Sequence, residues 1–517
     1  MAKENIFVKG VGTVEVSPKN IVLINSTHVD KPKRVYEVWE GCDIGNEVID
    51  LFIIKRHEPW VDVNILTDNK LIQDILEYTQ TPENKIVKTF KISNEVAITE
   101  YNKDWSPLII KSANNFYPKE YAIDLQKRFY TKFKKRSNAV TFYNNVISKH
   151  KKIYDDLGVS FSDVAPNNII VNKDFSDFKI IDISSLKKEK FVNKSPLTQI
   201  IYGDGANDLR FINPNILKQE WDKQLKEENP ITFCISTFNN LNYLKKAVKS
   251  VRKNSFFTNA PFVIHAENCT DGTDEWLEEN SSKYNLEYYI DKNDIPLGIG
   301  GGMNFCAQKV RTEFIMFLHS DFYVAKNWDK ALFDVFDKYC LTPMMAFSHR
   351  VQPNIFNEKP GRPGTHIVPK DTFGEYYHNF DEDFFVKWAD EFTKLNNFEI
   401  RKGEGVSGLI RKVDWDKVGG NDPLFAPASW DDMDLFIRMQ LEGIKIVLTS
   451  RSLVYHFGAR GSHFSDDNFD SRSERQIKAE RDNQKKWLTK WNKYPEFDQV
   501  EFVKSDGMFI NKDYKNG

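Results

Sequence analysis

The chain has 517 residues, enough for two or three domains that each bury a core of their own. Lys and Arg total 72 against 74 Asp and Glu, a formal net charge of -2, which excludes a global electrostatic pull toward nucleic acid or membrane and leaves only local patches. The five cysteines (Cys42, Cys234, Cys269, Cys306 and Cys340) form no CxxC pair, so neither a disulfide framework nor a zinc site is expected and the compartment should be reducing. The opening residues carry no apolar signal segment, and no stretch approaches the ~18 apolar residues that span a bilayer. A cytoplasmic protein with no integral membrane segment is expected. The abundance of Lys, Asn, Ile and Phe fits an AT-rich bacterial genome or a phage acting in its host.

The predicted elements begin with short β-type runs, at 48–54 and 96–99, separated by turn residues. From about 119 to 157 the pattern becomes helical and carries the basic residues Lys127, Arg128, Lys132, Lys134, Lys135 and Arg136, with Phe129, Tyr130 and Phe133 interleaved. Two further β-type runs follow at 168–171 and 178–181. A charged stretch at 218–228, closely followed by Pro230, reads as an exposed boundary before a new domain. No internal repeat stands out.

After Pro230 strands and helices alternate. Strands are expected at 231–236, 262–266 and 286–290, with helices at 243–251 and 274–284 between them. A glycine run over 298–302, a helix over about 303–310 and an apolar strand from 313 to Asp321 complete the series. Such alternation argues for a largely parallel sheet covered on both faces, with its strand-end loops converging on one crevice. Glycines let backbone approach a bulky polar ligand, and a carboxylate at the end of the next strand suits a diphosphate held through a divalent metal. The other reading of these residues is a turn before a core strand whose terminal Asp caps the next element.

Six ordered segments then resemble family 2 glycosyltransferases of the GT-A fold. Ile235-Ser236-Thr237-Phe238-Asn239 is similar to the opening strand and turn, and 267–273 to the following acidic loop. Gly300-Gly301-Gly302-Met303-Asn304 is similar to the glycine loop, and His319-Ser320-Asp321 stands at the DxD position. Trp430-Asp431-Asp432-Met433-Asp434-Leu435 with Tyr455-His456-Phe457-Gly458, and a late helix from Asn483 to Trp491, complete the set. The resemblance implies an α/β, mostly parallel, Rossmann-like domain over 229–465 and a helical extension over 466–517 packed on it. It further implies a metal-dependent, inverting transfer of sugar from a UDP-, GDP- or dTDP-sugar to an acceptor hydroxyl. Asp321 and His456 would ligate Mn²⁺ or Mg²⁺. His319 replaces the first DxD carboxylate, which favours Mn²⁺ or a weakly held metal. Asp432 or its neighbour Asp431 would be the base. Thr237, Phe238, Glu267 and Asp271 would meet the base and ribose of the donor. Gly300, Gly301, Gly302, Asn304, Ser320 and Ser407 would line the diphosphate and sugar. Asp271 has a second reading as a turn former, Asp434 as a first-turn residue of a helix, and His456 as a core histidine.

A second resemblance lies upstream. Asp163 to Asn168, in Ser162-Asp163-Val164-Ala165-Pro166-Asn167-Asn168, has the D-x-x-x-x-N spacing of the protein kinase-like and aminoglycoside phosphotransferase-like catalytic loop, and Asp182 follows the next strand. It implies an α+β kinase-like domain over 1–225, with Lys55 anchoring phosphate, Glu77 as its helix partner, and Asn168 and Asp182 holding metal. Phe161 and Ser184 depart from that pattern, which leaves a degenerate binding module as the alternative. For the whole chain the leading expectation is a glycan-building transferase. The others are a phage-type transferase acting on hydroxymethylated DNA through the basic cluster, a bifunctional kinase and transferase, and a non-catalytic sugar-nucleotide scaffold.

Overall fold

The computed structural model describes residues 4–8, 12–16, 21–26, 34–44, 47–56, 63–93, 96–100, 105–108, 119–161, 168–181, 186–188, 191, 214–339, 342–355, 364–396, 398–400, 407–458, 460, 464–465, 468–472 and 474–491. The chain divides into two compact units, residues 1–224 with 337–341, and residues 225–336 with 342–517.

In the first unit a five-stranded antiparallel sheet runs in the order Ile21–Ser26, Arg34–Ile44, Glu47–Arg56, Val96–Glu100, Thr89–Ile92. The helix Asn69–Thr79 lies in sequence between its third and fourth strands, and the Asp68 carboxylate caps it by accepting the Leu71 amide at 3.0 Å. The helices Lys119–Phe133 and Arg136–Leu157 follow, then a hairpin of Ile169–Val171 and Phe178–Ile180. Phe129 and Phe133 are 1% and 0% exposed and pack with Phe142, Tyr143 and Trp221. These rings are therefore core, and not part of a nucleic-acid contact face with the basic residues of this helix. Helical periodicity had placed charged and aromatic residues together in sequence, but the 3.6-residue repeat turns them to opposite faces.

The second unit is built on a ten-stranded sheet. Eight strands run in the order Leu286–Asp291, Phe262–Glu267, Ile231–Thr237, Phe314–Phe317, Gly408–Arg411, Met344–Pro353, Lys445–His456, Phe322–Val324. Thr365–Val368 adds to Met344–Pro353, and Glu399–Ile400 to Lys445–His456. The first four strands are parallel, and antiparallel pairings enter with Gly408–Arg411, so the sheet is parallel in one half and mixed in the other. Ile231–Thr237 lies between Phe262–Glu267 and Phe314–Phe317, so the chain winds outward from it in both directions. The crevice at the carboxyl ends of Ile231–Thr237 and Phe314–Phe317 is where an open α/β sheet takes its ligand.

Two local expectations change. The apolar strand stops at Phe317, and Phe322–Val324 pairs with Lys445–His456 at the far edge of the sheet, Phe322 opposite His456. Asp321 thus lies in the crossing between two strands, beside His456. The glycine run is not a loop: the helix runs Gly298–Lys309 and includes Gly300, Gly301 and Gly302. Glycine disfavours helix by roughly 1 kcal/mol per residue, so packing must hold it there. A Cβ on Gly302 would lie 2.1 Å from Ser236 Oγ and 2.9 Å from His265 Nδ1, and one on Gly300 would lie 2.8 Å from Asp431 Oδ2. Only glycine lets this helix lie directly on the first strand and the Asp431 loop.

Candidate functional site

The crevice is assembled from the ends of four segments. Thr237 and Phe238 close the first strand; the Thr237 hydroxyl is buried with no hydrogen-bond partner among the described residues. Phe238 lines a cleft of about 470 Å³ with Glu267, Asn268, Ile295, Pro296 and Pro427. The Glu267 carboxylate accepts the Leu297 amide and, at 3.0 Å, the Gly298 amide, while Ile299 donates to the Pro427 carbonyl at 2.9 Å. The first amides of the glycine helix are thereby occupied by protein. A diphosphate would have to displace these groups to use them.

Several other candidates make hydrogen bonds within the scaffold. Asp271 accepts from the Leu241 amide at 2.8 Å and from the Thr273 hydroxyl at 2.6 Å, which ties its loop to the start of the helix Leu241–Asn254. Asn304 exchanges two hydrogen bonds with the Asn421 backbone, its Nδ2 donating to the carbonyl at 2.7 Å and its Oδ1 accepting the amide at 2.8 Å. Ser320 accepts from Asn240 at 2.9 Å, and Ser407, fully buried, donates to the Phe317 carbonyl at 3.0 Å.

Asp321 and His456, far apart in sequence, meet with Oδ2 and Nε2 3.3 Å apart. Both are buried, and the Arg460 amide donates to the same carboxylate oxygen at 2.9 Å. Burial alone would raise the Asp321 carboxyl, but the imidazoles of His456 and His319 and the Arg460 amide hold it below the ordinary value. An ionised carboxylate beside an imidazole suits a divalent ion whose other ligands come from substrate oxygens. Among the described residues no group of three potential metal ligands forms.

Asp431 and Asp432 open the helix Asp431–Leu441 and line a second cavity, about 350 Å³, with His319, Asn421 and Glu480. Burial, reinforced by Asp434, pushes the Asp431 carboxyl up to about 6 against the lowering effect of backbone amides. Asp432 accepts the Met433 amide at 2.8 Å. The two residues before the pair, Ser429 and Trp430, have φ of 76° and 73°, a conformation that costs of order 1–3 kcal/mol per residue and needs outside support. Asn483 supplies it from the helix Glu474–Trp491: its side-chain amide donates to the carbonyls of Phe425, Ala428 and Ser429 at 2.6, 2.8 and 3.1 Å. Lys490 of that helix bridges Asp422 and Asp434, each at 2.6 Å. Asp434, fully buried, also binds Arg438 at 2.7 Å and Trp491 at 3.0 Å, so it anchors the helix pair instead of facing the cavity.

Arg460, Asn421 and Glu480 escaped sequence reasoning. No local pattern marks a residue whose contribution is a backbone amide, a backbone partner or a position on a distant helix. In the first unit, Asn168 accepts the Ile181 amide at 2.9 Å through its carbonyl, and Glu77 is exposed on its helix. Asp163 and Asp182 lie outside the described residues, as does the side chain of Lys55.

The family model described as Glycosyl transferase family 2 matches residues 232–398. No curated relative matches the chain. Among solved structures it is similar to S. aureus TarS, at 17% identity and TM-score 0.32, over 44% of this chain and 36% of that one. GalNAc-T7 with UDP, GalNAc and Mn²⁺ aligns at 15% identity and TM-score 0.35, over 50% and 48%. The mannosyltransferase PcManGT from Pyrobaculum calidifontis, with GDP-Man and Mn²⁺, aligns at 12% and 0.31, over 45% and 59%. The chain thus spans between about a third and three fifths of the length of these structures. Asp431, Asp432 and His456 lie beyond the residues matched by the family model. The stretch similar to glycosyl transferase family 2, residues 232–398, thus falls within the mixed α/β sheet of the second unit.

Proposed function

We propose that the protein transfers a sugar from a nucleotide-sugar donor to an acceptor hydroxyl, with inversion, at the crevice of the second unit. One observation carries this reading: His319, next but one to Asp321, lines the same cavity as Asp431 and Asp432, inside a unit that holds the family 2 segment. The donor's base and ribose would lie by Phe238 and the buried Thr237 hydroxyl, whose unused hydrogen-bonding capacity supports a polar ligand there. Asp321 and His456 would hold a divalent ion, Mn²⁺ or Mg²⁺, which when bound would neutralise charge on the departing diphosphate.

The chain's own groups supply the rest. A carboxylate of the Asp431–Asp432 pair takes the proton of the acceptor hydroxyl as it attacks the sugar carbon, from the face opposite the leaving phosphate. A carboxyl raised to about 6 is ionised at neutral pH yet basic enough to accept that proton, which favours Asp431 for the role. The acceptor is read as a surface glycan or polysaccharide precursor. A DNA acceptor draws no support from Phe129 and Phe133, whose rings are buried. The test is release of nucleoside diphosphate from a panel of UDP-, GDP- and dTDP-sugars with Mn²⁺, followed by mass spectrometry of glycan and hydroxymethylated DNA acceptors. Release lost in Asp321→Ala supports the reading; no release by the folded protein from any donor refutes it.

For the first unit we favour a kinase-like module. The helix Asn69–Thr79 between the third and fourth strands of an antiparallel sheet, and the hairpin that brings Asn168 beside Ile181, support it. Binding of ATP with Mg²⁺ that is abolished by Asp182→Ala would establish a nucleotide site. Its absence would leave a fold without that function.

A further inference from the structure

The cavity at Asp431 and Asp432 has a mixed lining. His319, Asn421, Ser429 and Glu480 accompany the two carboxylates, and much of the rest of the wall is apolar, including Met303, Phe317, Met345, Phe347, Trp415 and Phe436. Phe317, Met345, Phe347, Trp415 and Phe436 are all less than 5% exposed and belong to the main core of this unit, so the wall is fixed by packing and does not fold away. At about 350 Å³ the space falls in the range of small-molecule sites. If the function proposed above holds, the transferred sugar lies between the diphosphate beside Asp321 and the base at Asp431 or Asp432. His319, next but one to Asp321, and the two aspartates are among the residues that line this cavity.

A ring hydroxyl pressed against the apolar wall would lose its water without gaining a partner, at a cost that selects against it. A carbon substituent in the same place would gain contact instead. We infer that the donor sugar carries an apolar substituent, the methyl of an acetamido group or of a 6-deoxy carbon, and that Met303, Met345, Phe347 and Trp415 select for it.

Matched donor pairs test this: UDP-N-acetylglucosamine against UDP-glucose, UDP-N-acetylgalactosamine against UDP-galactose, GDP-D-rhamnose against GDP-D-mannose, and dTDP-6-deoxy-D-glucose against dTDP-D-glucose. Nucleoside diphosphate release is followed with Mn²⁺ on the full chain. Within the pair of the preferred nucleotide, kcat/KM should be roughly 10- to 200-fold higher for the substituted sugar, the range a hydrophobic pocket achieves for one small group. Filling the space with Met345→Phe, or with Met303→Phe at its partly buried position, should bring that ratio toward one in whichever variant keeps its thermal transition. Equal or better use of the unsubstituted sugar overturns the inference, as does a ratio unmoved in a folded filling variant. No release from any donor would refute the transferase reading beneath it instead.

Discussion

Asp431 is the residue whose environment makes the sharpest demand. Its carboxyl is pushed up to about 6 by burial, with Asp434 adding to the effect, so the ionised form that accepts a proton is lost as pH falls through about 6. The transfer rate should therefore drop on the acid side with an apparent midpoint near 6, and that limb should vanish from the residual activity of Asp431→Asn. Retention of the limb in that variant would move the base to Asp432. His150 gives a second pH dependence, in stability. Its buried Nε2 accepts the Phe161 amide at 2.9 Å, and burial lowers its pKa from 6.5 to about 4. The folded state favours neutral imidazole, so this contribution is present above about 6.5 and is lost as pH falls toward 4, about 3 kcal/mol in all. Denaturant melts of the first unit between pH 7 and 4 should show the loss, and a His150→Gln variant should flatten it. Gly302 was legible in sequence as a position that needs glycine, but its reason was not. Sequence suggested room for a phosphate, whereas the neighbours it must clear are Ser236 and His265. Gly302→Ala should destabilise the second unit by about 1–3 kcal/mol, measured as a shift in its unfolding midpoint.

At the scale of elements, the late helix Glu474–Trp491 controls the geometry of the aspartate loop. Its Asn483 holds three carbonyls around two residues at positive φ, and Trp487, fully buried, packs on Trp430 with ring centroids 5.3 Å apart. Asn483→Ala leaves buried carbonyls unpaired, a cost of about 1–3 kcal/mol. We expect kcat to fall at least tenfold with KM for the donor little changed, because the cleft at Phe238 proposed for the donor's nucleotide end is not lined by this helix. A proportional loss of folded protein with unchanged kcat would reduce Asn483 to a structural residue. Only the part of this helix from Asn483 to Trp491 was anticipated, through family resemblance, whereas the alternating strands of the parallel half were visible in sequence because periodicity and turn residues are local signals. The destination of Phe322–Val324 was not. Its pairing with Lys445–His456 is a contact across more than a hundred residues, set by where the sheet has a free edge and by nothing in the segment itself. The same blindness hid the helical state of Gly298–Gly302, since a propensity against helix was overridden by packing.

For the whole molecule, the division into two units, each with its own hydrophobic clusters, sets how stability should respond to ligand. If the proposed donor binds in the crevice, it should stabilise the second unit by about 2.7 kcal/mol when present at a hundred times its Kd. Calorimetry with and without donor should move the transition of residues 225–336 and 342–517 and leave the other in place. The change of rhythm at Pro230 was readable because strand and helix begin to alternate there. The pairing of Asp321 with His456 was reached through family resemblance, and their 3.3 Å separation came only from the fold. Among the described residues no helix is long and apolar enough to cross a membrane. The measurement that bears most directly on the proposed reaction is release of nucleoside diphosphate from sugar donors in Mn²⁺ by the full chain and by its Asp431→Asn/Asp432→Asn double variant. Wild type should release product from at least one donor, and the folded double variant should lose 10²-fold or more of the transfer rate to acceptor. Undiminished transfer by the double variant would contradict the assignment of this cavity as the reaction centre.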